Sequence, residues 1–134
     1  FESYHKSGFV PFAHAGNGNY WCWYPAMQEQ QAIPVVLCPH DCEDADLYAP
    51  DFTSALYRHV IEYATETSED DHERSGMLPR WAVELGPLWP TRWRDQVEGL
   101  TREPMAWSEY SALVASEFGE QYAKHCQVRW MDET

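Results

Sequence analysis

Residues 20–24, Tyr-Trp-Cys-Trp-Tyr, restrict this chain more than any other run. Aromatic side chains in succession favour a pleated strand, where they fit between cross-strand neighbours. Successive side chains of a strand point to opposite faces, so the run divides into Tyr20, Cys22 and Tyr24 on one side and Trp21 and Trp23 on the other. Neither face is strongly polar, which predicts a central strand covered on both sides. Upstream, Phe9-Val10-Pro11-Phe12 reads as a short strand, with Pro11 at an edge or irregularity because it has no N–H to give to a ladder. Gly16-Asn17-Gly18-Asn19 lies between the two and has turn chemistry, since Gly and Asn tolerate positive φ. Residues 33–38, Ile-Pro-Val-Val-Leu-Cys, form a third, buried strand. The expected arrangement of 9–24 and 33–38 is an antiparallel meander.

Beyond residue 50 the periodicity changes. Residues 40–48 hold Asp41, Glu43, Asp44 and Asp46 and read as an acidic loop. Pro50-Asp51 then announces a helix, with Asp51 able to cap the free amides of its first turn. Phe52, Ala55, Leu56, His59, Val60 and Tyr63 define one apolar face over roughly 52–66. Residues 66–76 read as a solvated acidic loop, and 81–85 as strand or helix. Thr91 is a candidate cap for a short helix over 92–100 carrying Trp93, Val97 and Leu100. Ser108 is the candidate cap of a last helix over about 109–125, lined by Tyr110, Leu113, Val114, Phe118 and Tyr122 and weakened at Gly119. Strands first and helices later imply an α+β fold with an antiparallel or mixed sheet flanked by helices. The expectation for organisation is a single domain over 1–134.

Composition narrows the function classes. Nine basic against twenty-two acidic side chains give a net charge of −13. A surface for nucleic acid or anionic membrane needs clustered Lys and Arg, and the chain has no basic run. An acidic field instead steers basic partners in quickly. Aromatics make up 15%, with seven Trp, enough to furnish both a core and a contact surface. No stretch of about 18 apolar residues offers a membrane span, and no signal peptide is visible. Cys22, Cys38, Cys42 and Cys126 are too few for a disulfide scaffold, so reduced thiols and a cytoplasmic location are expected. A Cys38–Cys42 disulfide is the alternative.

Three features carry possible chemistry. Cys38-Pro39-His40-Asp41-Cys42 could present soft ligands to zinc, completed by His14 and Cys22 if the loops meet, but its spacing is tighter than the usual closed site. His14, His40 and Asp41 could form an acid–base group, and Cys22 or Cys38 with His40 a nucleophile and base. Neither has the strained turn and oxyanion donors that such sites use. Gly16-x-Gly18 lacks the third Gly, the Lys and the following helix of a phosphate loop. The expectation is no catalytic residue, no metal and no cofactor. Contact with a protein partner is expected instead through Trp21, Trp23, Glu43, Asp44 and Asp46.

One resemblance sharpens this reading. Phe9-Val10-Pro11-Phe12, Gly16-x-Gly18-x-Tyr20-x-Cys22, Pro34-Val35-Val36-Leu37, His40-Asp41 and Ala49-Pro50-x-Phe52 occur in the order found in the SUKH superfamily, and the chain resembles that group over about a third of its length. The framework positions carried over are Phe9, Pro11, Phe12, Gly16, Gly18, Tyr20, Pro50 and Phe52. Residues 1–66 would supply the family's sheet and first helix, and 77–134 a helical C-terminal extension. The family's usual N-terminal helices are not visible before Phe1, which leaves room for missing elements. Asn19 and Tyr24 stand where the family often has acidic residues, so no site built on those carboxylates is carried over. The resemblance implies a bacterial immunity protein that neutralises a toxin by direct contact, and the net charge of −13 suits a basic toxin. Its alternatives are a regulatory protein-binding scaffold without a toxin and a small thiol- or metal-dependent enzyme.

Overall fold

The computed structural model describes residues 8–16, 18–38, 44–66, 71–123 and 127–129. Strands β1 (Val10–Gly16), β2 (Asn19–Trp23), β3 (Val35–Cys38) and β4 (Asp44–Ala49) come first. Helices α1 (Phe52–Glu66), α2 (Asp71–Leu85), α3 (Thr91–Leu100), α4 (Trp107–Phe118) and α5 (Glu120–Ala123) follow, then a short strand β5 (Gln127–Arg129). All five strands form one antiparallel sheet in the order β1-β2-β3-β4-β5. The fold is therefore α+β. The chain divides into two compact units, one running to Ala55 and resuming at Ala115, the other spanning Leu56–Val114.

In the sheet unit, β2 is an interior strand next to the edge strand β1, and it is not covered on both sides as expected: only Cys22 is buried, and Tyr20, Trp21, Trp23 and Tyr24 are half-buried. Gly16 pairs with Asn19 across the first turn, where Gly18 takes φ +83°, a region that needs no Cβ. Pro11 lies on the edge strand, beside a register shift between Pro11 and Ala13. Edge placement leaves its missing N–H harmless. Cys22, Val36, Cys38, Ala45 and Leu47 are buried. Val35, Tyr48, Ala49 and Ala55 form a second buried group, against which Phe12, Trp21, Trp23 and Phe118 pack.

Three expectations for this unit are corrected. The acidic loop expected over 40–48 is strand from Asp44 onward. Ala45, Leu47, Tyr48 and Ala49 are buried, an apolar signal masked by Asp44 and Asp46 beside them. The last helix ends at Phe118, because Gly119 adopts φ +109°, and Glu120–Ala123 resumes as a single turn. The segment expected to be a helical extension also returns to the sheet as β5, beside β4.

In the second unit, Tyr57 stacks parallel on Trp93 at 4.2 Å between ring centroids and meets Trp89 edge-on at 5.7 Å. Val60, Ile61, Ala64, Leu78, Val97 and Leu100 are buried. Helix α1 keeps its expected limits, but its most buried positions include Tyr57, Arg58, Ile61 and Ala64, while Phe52 and His59 are exposed. The rotation follows from a polar partner described below. Residues 71–76 belong to α2, not to a loop. Leu78, Trp81, Ala82 and Leu85 recur at helical spacing despite Pro79, which sits inside the helix. Pro90 takes the cap position of α3, and Thr91 is its first residue. Ser108 lies inside α4, not at its cap.

Candidate functional site: an aromatic and acidic groove

An open groove of about 600 Å³ lies within the sheet unit. Trp23 at the end of β2, residues 29–33 of the β2–β3 connection, and Asp51, Phe52 and Thr53 at the start of α1 line it. Each wall has a local cause. Tyr24 donates its amide to the Pro34 carbonyl (2.9 Å), which closes the base of the connection. At its tip Glu29 and Ala32 exchange both backbone hydrogen bonds (3.0 and 2.9 Å) around Gln30 and Gln31. So tight a turn demands positive φ, and Gln30 takes φ 55°. The Gln28 side-chain amide donates to the Gln30 carbonyl (2.9 Å) and holds the turn in place.

The opposite wall is set by a helix cap. The Ser54 amide donates to Asp51 Oδ1 (2.8 Å), and the Thr53 hydroxyl donates to the same oxygen (3.1 Å). The cap expected at Asp51 is therefore formed. It satisfies an amide that the helix cannot satisfy itself, and its negative charge suits the positive helix end. The cap also fixes Phe52 at the rim. Phe52 meets Phe12 edge-on (5.5 Å) and Trp23 at a tilt (6.3 Å), while Phe12 stacks on Trp23 (4.5 Å). Phe52 was expected on the apolar face of α1. It is instead 42% exposed, because it belongs to an aromatic cluster at the surface.

The residues expected to contact a partner separate. Trp23 lines the groove; Trp21 does not, and packs on Tyr48 at 4.4 Å. Asp44 and Asp46 lie on strand β4, in register with Arg129 and Gln127, and not in the acidic loop expected for them; Asp46 is half-buried. Glu43 lies outside the described residues. The carboxylates that line the groove with Trp23 and Phe52 are Glu29 and Asp51. Glu29 has no sequence signal beyond its place in a polar turn, and Asp51 was legible only as a cap. Of the framework residues, Phe9 is fully buried and meets Tyr24 edge-on (4.6 Å), Tyr20 is half-buried against His14 (5.0 Å), and Pro50 is half-buried.

Two cysteines lie among the described residues. Cys22 and Cys38 lie on adjacent strands, both fully buried and not disulfide-bonded. The Cys38 thiol is pushed far above its ordinary range, first by its hydrogen bond with Cys22, then by burial and by the nearby Cys22 and Asp46 charges. Such a thiol supplies almost no thiolate at neutral pH. Among the described residues no three His, Cys, Asp or Glu side chains gather to hold a metal. His40, Asp41, Cys42 and Cys126 lie outside the described residues. Among the described residues, no helix is long and apolar enough to cross a membrane.

A second polar feature lies in the other unit. Arg58 Nε donates to the Tyr110 hydroxyl (2.7 Å), which donates to Glu62 Oε2 (2.9 Å). Arg58 and Glu62 stand one turn apart on α1, so both reach the same ring. This triad explains how Arg58 is buried on a face that hydrophobic periodicity alone would not select. No protein-family model, curated protein or solved structure matches this chain.

Proposed function

We propose that this chain acts by binding a basic protein partner through the aromatic groove, and that it neutralises that partner by direct contact, as an immunity protein does. The observation that carries the reading is the exposed Phe52 and the half-buried Trp23, which line one groove with Glu29 and Asp51. Aromatic side chains bring large contact area at small entropic cost and dominate binding energy where they are exposed at an interface. The net charge of −13 would speed encounter with a cationic partner and make it sensitive to salt. The resemblance of residues 9–52 to the SUKH superfamily supports the same reading. A bacterial, cytoplasmic setting belongs to this proposal.

The test is co-expression with the product of an adjacent gene that arrests growth. Rescue by the parent chain, with loss of rescue by a folded Trp23→Ala or Phe52→Ala variant, is the expected result. Binding without any toxicity to relieve would favour the regulatory scaffold. Rescue that survives both substitutions would move the contact surface away from the groove.

A further inference from the structure

We infer that the groove receives an arginine side chain of the partner, with its guanidinium on the Trp23 and Phe52 rings and its N–H donors facing Asp51 and Glu29. This rests on the protein-binding reading above and adds the chemistry of the occupant. The groove-lining residues Trp23, Glu29, Gln30, Ile33, Asp51 and Phe52 include two carboxylates, and among the described residues the lining has no Lys, Arg or His. Its charge therefore favours a cation. The one local attraction for an anion, the amide end of α1, is already engaged by Asp51.

Among cations, arginine fits best. A planar, weakly hydrated guanidinium stacks on aromatic faces and forms paired hydrogen bonds with carboxylates. An ammonium group would do less of either. The exposed Gln30 and Gln31 add amide partners for the backbone on either side of that arginine. The volume of about 600 Å³ exceeds one side chain, so the arginine would arrive on an extended segment. The cap at Asp51 and the closed turn at Gln30 hold the walls before the segment arrives, which limits the ordering cost of binding.

The experiment titrates the full chain with three short blocked peptides, identical except for a central arginine, lysine or citrulline. Citrulline keeps the shape of arginine without its charge. Amide and indole N–H resonances are followed by NMR. The expected result is saturable shifts at Trp23 and residues 29–33 and 51–53 with the arginine peptide, weaker shifts with lysine, and none with citrulline. Asp51→Asn retains a capping side chain and removes the charge. It should lower arginine-peptide affinity about 5- to 10-fold with the fold intact, and Glu29→Gln should do the same. Equal binding of arginine and citrulline peptides, shifts confined to other surfaces, or no saturable shift would overturn the inference. Partner rescue that survives Asp51→Asn and Glu29→Gln would overturn the arginine site while leaving the protein-binding reading in place. Absence of rescue by the parent chain bears only on that broader reading.

Discussion

The triad of Arg58, Tyr110 and Glu62 allows one substitution to be worked through. Tyr110→Phe removes a single oxygen and leaves the ring. The lost hydroxyl accepts from a charged guanidinium at 2.7 Å and donates to a carboxylate at 2.9 Å. Hydrogen bonds to charged groups contribute about 1.5–3 kcal/mol each, and an orphaned buried donor costs about 1–3 kcal/mol. Arg58 is only 8% exposed and keeps another interaction, so the two losses are not simply additive. The expected destabilisation is about 2–4 kcal/mol. Equilibrium urea unfolding should show it as a lower midpoint with an unchanged slope. A double-mutant cycle with Arg58→Met should return a coupling above about 1 kcal/mol, because the second substitution removes the charge that the first stranded.

The same hydroxyl gives the effect a pH signature. Burial, then the Glu62 charge, raises Tyr110 well above its ordinary value of 10.0, against a smaller opposing pull from Arg58. Above that ordinary value the unfolded chain releases a proton that the folded chain keeps. The contribution of Tyr110 to stability is thus fully present below pH 10.0 and falls as pH rises toward the folded value. The gap between parent and Tyr110→Phe should narrow in alkaline solution. A loss below about 0.5 kcal/mol at neutral pH, within the range of an ordinary surface change, would refute the buried triad. So would a gap that stays constant above pH 10.0.

Other substitutions separate local causes. Asp51→Ala should cost about 1 kcal/mol by thermal or urea unfolding, while Asp51→Asn should cost much less, because Asn can still accept the Ser54 amide. Gln30→Gly should raise stability by up to about 1 kcal/mol, since glycine accepts positive φ without the Cβ clash; a loss would mean that the turn is not strained. Gly119→Ala should cost about 1–2 kcal/mol through its φ of +109° alone, as an added Cβ meets nothing within 4 Å. Phe52→Ala should cost less than the roughly 3–5 kcal/mol of a core aromatic, because the ring is 42% exposed; a full core-sized loss would place the ring inside and remove it from the binding surface.

The first three strands were legible because their residues are aromatic, β-branched or apolar and the first turn carries Gly and Asn. Strand β4 was missed for a physical reason: Asp44 and Asp46 made a half-buried strand look like solvated loop, and charge density outweighed the apolar signal of Ala45, Leu47, Tyr48 and Ala49. Strand β5 has three residues, two of them polar, and exists through its pairing with β4, which no local propensity encodes. Helix α1 was legible in extent and less so in orientation, since Arg58 is buried through a partner 52 positions away. Helix α2 was hidden by Pro79, which usually ends a helix and here does not.

The candidate site was legible only in parts, and the reason lies in how it is built. Trp23 was found by type and Asp51 by its capping role, but nothing in either signal joins them. They meet at one groove because a tight turn at Gln30 and a capped start at Phe52 lie at neighbouring ends of the sheet's connections. Both devices are local and satisfy their own backbone groups, so the polar walls of the groove do not draw on the core, whereas Trp23 packs against the buried group around Val35. Charge in the groove can therefore change with little effect on folding, as the comparison of Asp51→Asn with Asp51→Ala would reveal. If Asp51→Asn unfolded the chain as readily as Asp51→Ala, the carboxylate charge itself would be structural, and the groove would lose its claim to be a surface free to match a partner.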